Sequence, residues 1–375
     1  MTSNGIWMNG RLLVRELKDL FVGTIETFVE KFRSMLGSKM DPRILHFVGI
    51  GALSLLAFRI CRLLTRILWA HIFGPTKNLK KLTAHAKWAV ITGATDGIGK
   101  SYAFELASKN FDLLLISRNH QKLLATSDQI KSTYPRVTIK VLEFDFTNPR
   151  LEDYEQKIFP VLDQLEIGIL VNNVGLAYDH PERIDQQRDA LRSCHDMLII
   201  NTLPNTLLST YVLTQMTKRN GGVVVNLSSA MALYPMTNWA VYSATKRYVS
   251  TLTEILRKEF ADSKVTIQTV HPMFVETKMV KLIEPLPRIF GVTPEYFAHS
   301  AVRTIGLVDE TCGCLWHDVQ VAIAFYLPPD WVIERFLGLI NRIARSQALE
   351  RLNKEPADGN NENGRSSLLS SDTRP

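Results

Sequence analysis

A tyrosine and a lysine four residues apart, Tyr242 and Lys246, have the residue types and spacing that most directly indicate chemistry. Residues at positions i and i+4 share one face of a helix, so the two side chains would lie close together. A free tyrosine has a pKa of about 10, and a neighbouring ammonium lowers that pKa by stabilising the tyrosinate. Ser229 follows an apolar run, and from a strand end its hydroxyl could hold a carbonyl oxygen. The set indicates acid–base catalysis at a carbonyl, although Tyr-x3-Lys alone would also suit a surface helix pair.

A glycine-rich turn lies far upstream, in the sequence TGATDGIGK at residues 92–100. Gly93, Gly97 and Gly99 stand between a β-rich run and a helix-forming stretch. Glycine lets the backbone turn tightly and approach a pyrophosphate, while a helix N-terminus supplies free N–H groups and partial positive charge. The strand–turn–helix context therefore predicts a dinucleotide site, and the alternative is a tight turn that binds no ligand.

The next apolar run, 112–117, ends beside Arg118, with Lys122 about one helical turn later. An acidic residue at this strand end would bind the ribose 2′-hydroxyl of NAD. An arginine there suits a 2′-phosphate instead, because guanidinium groups form charge-assisted hydrogen bonds with phosphates. The sequence thus favours NADPH over NADH, unless Arg118 is simply a solvated surface residue.

The elements that must position these residues fill a central zone, residues 85–320. Apolar β-rich runs alternate there with helical stretches, and they lie at 88–92, 112–117, 137–144, 167–171, 222–227 and 264–270. Repeated strand–helix units predict an α/β fold whose parallel sheet is covered on both faces by helices.

These motifs together resemble the short-chain dehydrogenase/reductase family. The resemblance rests on TGATDGIG at 92–99, Asn172-Asn173-Val174-Gly175, Asn201, Ser229 and Tyr242-x3-Lys246, in the family's order and spacing. It implies a single Rossmann-type, doubly wound parallel sheet of about seven strands, and a homodimer. Finer likenesses point to the branch of 17-beta-hydroxysteroid dehydrogenases and very-long-chain 3-oxoacyl-CoA reductases, which includes hydroxysteroid dehydrogenase-like proteins.

The resemblance also implies a role for each catalytic residue. Tyr242 would be the general acid that protonates a carbonyl oxygen as hydride arrives from the nicotinamide. Ser229 would polarise that carbonyl, and Lys246 would tune Tyr242 and hold the ribose. Asn201 would position the water of a proton relay.

The implied cofactor site includes the glycine turn, an adenine contact at Asp145, and a floor shaped by Asn172 and Gly175. One departure from the family pattern is Pro272-Met273, where many members have Pro-Gly. The expected cofactor-binding residues are Gly93, Thr95, Gly97, Ile98, Gly99, Arg118, Asp145, Asn172, Gly175, Tyr242, Lys246 and Thr277.

The N-terminal zone indicates a membrane. Residues 1–41 are amphipathic, which suits either a helix packed on the main domain or a helix lying on a membrane surface. Residues 44–58 contain no Asp, Glu, Lys or Arg. Together with an arginine-bearing stretch they predict an anchor over 42–73, with the buried helix of a soluble domain as the alternative. Its arginines would reach toward lipid headgroups, and three lysines after it favour a cytosolic catalytic domain; these residues are Arg59, Arg62, Arg66, Lys77, Lys80 and Lys81. The expected location is the endoplasmic reticulum membrane, or else a mitochondrial membrane.

The C-terminal zone consists of an apolar and amphipathic extension, 321–350, and a polar tail, 351–375, predicted to be disordered. The apolar segment after Pro272 is the expected substrate loop, and it suits an acyl chain or a steroid. The four cysteines suit a reducing compartment. A net charge of only +7 gives little reason to expect nucleic acid, and Cys312-Gly-Cys314 has no matching pair of histidines or cysteines, so we expect neither nucleic acid nor metal as a partner. The sequence therefore predicts a membrane-bound NADPH-dependent ketoreductase of 3-oxoacyl-CoA or ketosteroid. The alternative is a cofactor-binding scaffold or regulator with little catalysis.

Overall fold

A seven-stranded parallel sheet forms the centre of the computed structural model, which describes residues 42–187, 189–277 and 291–354. Every neighbouring pair of strands is parallel, in the order β3-β2-β1-β4-β5-β6-β7. The strands are β1 Trp88–Thr92, β2 Asp112–Ser117, β3 Ile139–Glu143, β4 Ile167–Asn172, β5 Gly222–Leu227, β6 Val265–Val270 and β7 Glu310–Thr311.

Helices connect the strands and continue beyond the sheet at both ends of the described chain. The α-helices are α1 Pro42–Leu68, α2 Leu79–Leu82, α3 Gly97–Ser108, α4 His120–Thr133, α5 Leu151–Asp153, α6 Phe159–Asp163, α7 Ala190–Arg219, α8 Ala240–Glu259, α9 Pro294–Arg303, α10 Leu315–Val321 and α11 Asp330–Lys354. Wider π-helical turns follow three of them, at Trp69–Phe73, Tyr154–Ile158 and Ala322–Tyr326, and a 3₁₀ turn spans Ala230–Ala232.

The predicted Rossmann-type doubly wound sheet is confirmed. Its central strands are buried on both faces because alternate residues enter two different apolar clusters. In β1, Ala89 and Ile91 face the cluster under α3 and α9, whereas Val90 faces the cluster under α7. Two-sided burial explains why these strands are continuous apolar runs rather than alternating ones.

The winding direction changes between β1 and β4, which are neighbours in the sheet although two strands separate them in sequence. At such a point, the connections leave toward opposite faces and open a crevice at the carboxyl ends of the strands. The glycine turn after β1 and the Asn172–Gly175 segment at the end of β4 meet at this crevice. The sequence analysis missed β7, because Glu310–Thr311 is only two residues long and has no apolar run.

Helix α1 and its π-helical turn project an apolar surface into solvent. Phe47, Leu53 and Phe58 are each at least 65% exposed. Only the C-terminal end packs on the domain, where Ile67 is buried and His71 Nε2 lies 2.6 Å from Asp318 Oδ2. A globular domain rarely exposes such a continuous apolar surface unless it meets a membrane or a partner.

One detail of the predicted anchor differs from expectation. Arg66 does not simply extend toward headgroups, because its guanidinium donates to the backbone carbonyl of Glu310 in β7 at 2.9 Å. Residues 1–41, the central part of the expected substrate loop (278–290) and the tail from 355 onward lie outside the described residues.

Candidate active site

The glycine turn has the geometry that close approach of a ligand requires. Gly93 and Gly97 have φ values of +65° and +50°, which side chains other than glycine adopt with strain. A Cβ on Gly99 would lie 2.4 Å from both the Gly93 carbonyl oxygen and Asn173 Nδ2. Helix α3 begins inside the turn, at Gly97, so its N-terminal dipole points at the same crevice. These features fit a pyrophosphate group. The structure brings the predicted turn residues together, and Ile98 lies in the first turn of α3.

Asn173, rather than Asn172, holds the turn in place. The Asn173 amide nitrogen donates to the carbonyls of Thr92 and Gly93 at 2.9 and 3.2 Å. The amide of Asn172 instead lies buried under the sheet and donates to Ser209 and Asn226. The structure therefore gives Asn172 a bracing contact between β4, β5 and α7. The sequence motif contains both residues, and only the pleat of β4 decides which side chain faces the turn.

Thr277 and Thr95 border the same turn. A Cβ on Gly97 would lie 2.7 Å from Thr277 Cγ2, which places Thr277 directly against the turn. Thr95 Oγ1 lies 3.1 Å from Ser117 Oγ at the end of β2, immediately before Arg118. Arg118 is exposed there, and it forms no ion pair with any residue that the structure describes. Its guanidinium is thus available for an anionic group bound beside the turn.

Asp145 lies in the loop after β3 and is exposed. One carboxylate oxygen, Oδ1, accepts hydrogen bonds from the backbone N–H and the hydroxyl of Thr147, at 3.0 and 2.9 Å. The loop is therefore preformed, and the second oxygen is the one left for the predicted adenine contact.

The three catalytic candidates meet at the carboxyl end of β5. Ser229 caps the 3₁₀ turn after β5 by accepting a hydrogen bond from Met231 N–H. Tyr242 and Lys246 lie one turn apart on α8, and all three side chains are buried. Lys246 Nζ donates to the carbonyl of Leu227 at 3.1 Å and lies 6.0 Å from the Tyr242 ring centroid. The predicted convergence of these residues therefore occurs.

Ser228 fastens α8 to this strand end. Its hydroxyl donates to the Lys246 carbonyl at 2.7 Å and lies 2.8 Å from Ser250 Oγ. The Ser228 backbone N–H donates to Val270 O at the end of β6. These bonds hold the loop after β5 at a fixed position against α8. They therefore set the distance between Ser229 and the side chains of Tyr242 and Lys246.

The protonation of the pair differs from the sequence-based expectation. Burial raises the pKa of Tyr242, and a hydrogen bond with Ser229 opposes this shift only in part. Burial also lowers the pKa of Lys246 to about 8. The pKa of Tyr242 is therefore raised by its burial, whereas the sequence leads one to expect a pKa lowered by the ammonium. In the protein by itself the tyrosine is protonated at neutral pH, as a proton donor must be.

Asn201 is fully buried and joins α7 to the loop after β4. Its amide oxygen accepts from Leu176 N–H at 2.8 Å, and its amide nitrogen donates to Leu176 O and Thr245 Oγ1 at 2.9 and 3.0 Å. A Cβ on Gly175 would approach both Asn201 Oδ1 and Lys246 Nζ. The side chain thus braces the floor of the site, and its predicted role with water stays a prediction.

His271 is a buried residue that the sequence analysis did not identify. It follows β6, and its Nδ1 lies 3.3 Å from the Ser229 carbonyl oxygen. Its Nε2 has no hydrogen-bond partner among the described residues. Burial lowers the pKa of this imidazole, so it supports Ser229 as a neutral group.

Comparison with known proteins identifies the family. A model described as short chain dehydrogenase matches residues 87–286. A very-long-chain 3-oxoacyl-CoA reductase of Caenorhabditis elegans is 41% identical over 312 residues, which cover 82% of this chain and 96% of that protein. The chain belongs to the short-chain dehydrogenase family.

Further relatives extend this similarity. The human very-long-chain 3-oxoacyl-CoA reductase is 36% identical, with 83% of this chain and 96% of that protein covered. The putative steroid dehydrogenase 1 of Caenorhabditis elegans is 40% identical, with coverage of 82% and 96%. A solved structure of a 7beta-hydroxysteroid dehydrogenase is 20% identical and superposes with a TM-score of 0.60. The match covers 70% of this chain and 100% of that chain, and it shows that the fold is shared. The chain is an oxidoreductase of a family that uses a nicotinamide cofactor.

Lys246 gives a pH-dependent test of the cofactor site. Its amine is protonated below pH about 8 and loses its charge above that value. If the ammonium holds the dinucleotide, affinity for NADPH should be constant from pH 6.5 to 7.5 and weaken as pH rises through 8. Fluorescence titration with NADPH from pH 6.5 to 9.5 measures this, and Lys246→Met should bind weakly without the break. A break of equal size in Lys246→Met would assign the titration to another group.

Proposed function

We propose that this protein is a membrane-bound, NADPH-dependent ketoreductase that acts on a lipophilic carbonyl substrate. The observation that carries the proposal is the meeting of Ser229, Tyr242 and Lys246 at the carboxyl end of β5, beside the crevice that holds the glycine turn. The relatives named above support ketone chemistry on 3-oxoacyl-CoA or steroid substrates.

In the proposed mechanism, NADPH, when bound, would supply the hydride that adds to the carbonyl carbon. The Ser229 hydroxyl donates a hydrogen bond to the carbonyl oxygen and orients it. Tyr242 donates its phenolic proton to the same oxygen as negative charge develops there. Its raised pKa keeps that proton in place until the oxygen becomes basic. The Lys246 ammonium stabilises the resulting tyrosinate and helps to hold the ribose hydroxyls.

One long apolar helix supports a membrane location and, through it, a lipophilic substrate. The stretch His46–Phe73 is, among the described residues, the one helix long and apolar enough to cross a bilayer. Its 28 residues would span about 40 Å, against about 30 Å of hydrocarbon. The endoplasmic reticulum, with the catalytic domain in the cytosol, is the proposed location. Family members are typically oligomeric, and we expect a homodimer.

A Tyr242→Phe variant tests the proposed general acid. It removes only the phenolic hydroxyl, so we expect turnover of a long-chain 3-oxoacyl-CoA or a ketosteroid to fall by roughly 10²- to 10⁴-fold, while NADPH still binds. Consumption of NADPH by the membrane fraction measures turnover, and fluorescence measures binding. Tyr248→Phe is the matched control, because Tyr248 lies on the same helix, is 42% exposed and places its hydroxyl 2.8 Å from Thr206 Oγ1.

Equal turnover by wild type and Tyr242→Phe would contradict the assigned mechanism. If the wild-type protein binds NADPH but reduces neither the acyl-CoA nor the ketosteroid panel, the cofactor-binding scaffold becomes the better account.

Arg118 tests the choice of cofactor. Arg118→Ala removes the proposed partner of the 2′-phosphate, and loss of a charged hydrogen bond weakens binding by about 10- to 100-fold. We expect the dissociation constant for NADPH to rise by that factor, and that for NADH to stay within about threefold. Arg136→Ala, at another exposed arginine, is the control. If Arg118→Ala weakens NADH and NADPH equally, or if wild type uses both equally well, the 2′-phosphate assignment is wrong.

The anchor is tested by membrane extraction. Because α1 and its π-helical turn expose an apolar surface along most of their length, the full chain should stay in the membrane pellet after alkaline carbonate treatment. Deletion of residues 42–66 should release the protein from the membrane. This deletion keeps Ile67, Ala70 and His71, which pack on the domain. Release of the full-length chain by carbonate would contradict an integral anchor.

A further inference from the structure

One contact between the C-terminal helix α11 and the catalytic region is made by a buried amide, that of Asn341. Its oxygen accepts a hydrogen bond from the indole Nε1 of Trp239 at 3.1 Å, and its nitrogen donates to the backbone carbonyl of Thr237 at 2.9 Å. Both Asn341 and Trp239 are at most 4% exposed. A buried indole N–H requires an acceptor, so this amide fixes both the indole and the backbone two residues before it.

Trp239 in turn packs on the proposed general acid. Its ring meets the Tyr242 ring edge to face, with the centroids 6.2 Å apart, and lies 6.0 Å from the Tyr178 ring. Tyr178 accepts a hydrogen bond from Val241 N–H through its hydroxyl. Trp239 also immediately precedes α8, the helix that carries Tyr242 and Lys246. A shift of the indole would therefore change the packing around the phenol directly.

A second contact of α11 holds the opposite wall of the same region. Arg345 Nε lies 2.8 and 2.9 Å from the two carboxylate oxygens of Glu182, which is 6% exposed. The backbone N–H of Glu182 donates to the carbonyl of Asn238, next to Trp239. Asn238 has a φ of +65°, a strained value that the surrounding contacts must maintain. The helix thus joins the loop after β4 to the segment before α8.

We propose that Asn341 is a positioning residue, which holds Trp239 against Tyr242 and so sets the place of the phenol that protonates the substrate. The C-terminal extension is then a wall of the active site rather than an appendage to the domain. This inference rests on the proposed function of Tyr242. It assigns no contact between Asn341 and the substrate.

Asn341→Leu and Trp239→Phe test this link from both ends. Each variant removes the amide–indole hydrogen bond and leaves an apolar side chain at the substituted position. A displacement near 1 Å costs up to about 100-fold in rate, so we expect kcat to fall by about 10- to 100-fold with the dissociation constant for NADPH unchanged within twofold. The double variant should lose less rate than the product of the two separate losses, because the two changes share the amide–indole hydrogen bond. Arg342→Ala, at the exposed neighbour of Asn341, should match wild type.

Tyr242 titration gives a readout that needs no turnover. The difference in tyrosinate absorbance between a protein and its Tyr242→Phe form isolates this phenol. In Asn341→Leu, looser packing should admit water and move the pKa of Tyr242 down toward its ordinary value of about 10. Arg342→Ala should leave the titration unchanged.

The outcomes separate the two claims. Suppose that the wild-type protein shows no turnover, but Asn341→Leu still shifts the Tyr242 titration. That result would support the positioning role of Asn341 and contradict the proposed function. A lower melting temperature in Asn341→Leu with unchanged kcat and an unchanged Tyr242 titration would overturn the inference, since a purely structural contact gives that result. Additive losses in the double variant would also overturn it, because Asn341 would not then act through Trp239.

Discussion

The active region depends on the hydrogen bonds of Ser228 to helix α8. The end of a parallel strand leaves backbone groups that must find partners once they are buried. The backbone N–H of Ser228 meets this need by donating to Val270 O, and the Ser228 hydroxyl donates to the Lys246 carbonyl, which fixes the helix against the strand. Ser229 follows on the loop, and Tyr242 and Lys246 follow on the helix. Their mutual placement is thus a consequence of one buried serine contact, supported by the Asn201 bridge between Leu176 and Thr245.

The same burial that holds these residues also sets their chemistry. Desolvation disfavours the charged forms of both members of the pair, so the pKa of Tyr242 rises and that of Lys246 falls to about 8. A protonated phenol is the form that reduction of a carbonyl needs, whereas oxidation of an alcohol needs the tyrosinate. The raised pKa thus suits the proposed role of Tyr242 as the proton donor.

Local pattern predicted the fold and the principal side chains, because both depend on short-range sequence. Apolar runs located the six longer strands, and the spacing of Gly93, Gly97 and Gly99 located the turn. The sequence pattern does not predict that Asn173 bonds to the turn while Asn172 bonds within the sheet. The pleat of β4 determines which of these two adjacent side chains faces the turn. The pattern also does not pair Trp239 with Asn341, which lie 102 residues apart, since each looks like an ordinary helix or loop residue until the chain folds.

The central claim is that this site transfers hydride to a carbonyl carbon and that Tyr242 supplies the proton. The most direct measurement is a single turnover of the full-length protein in detergent with NADPH deuterated at both C4 positions and a long-chain 3-oxoacyl-CoA or a ketosteroid. The account expects a hydroxylated product that carries one deuterium on the carbinol carbon, as measured by mass spectrometry. A protein that binds the cofactor yet forms no deuterated product from either substrate class would contradict it.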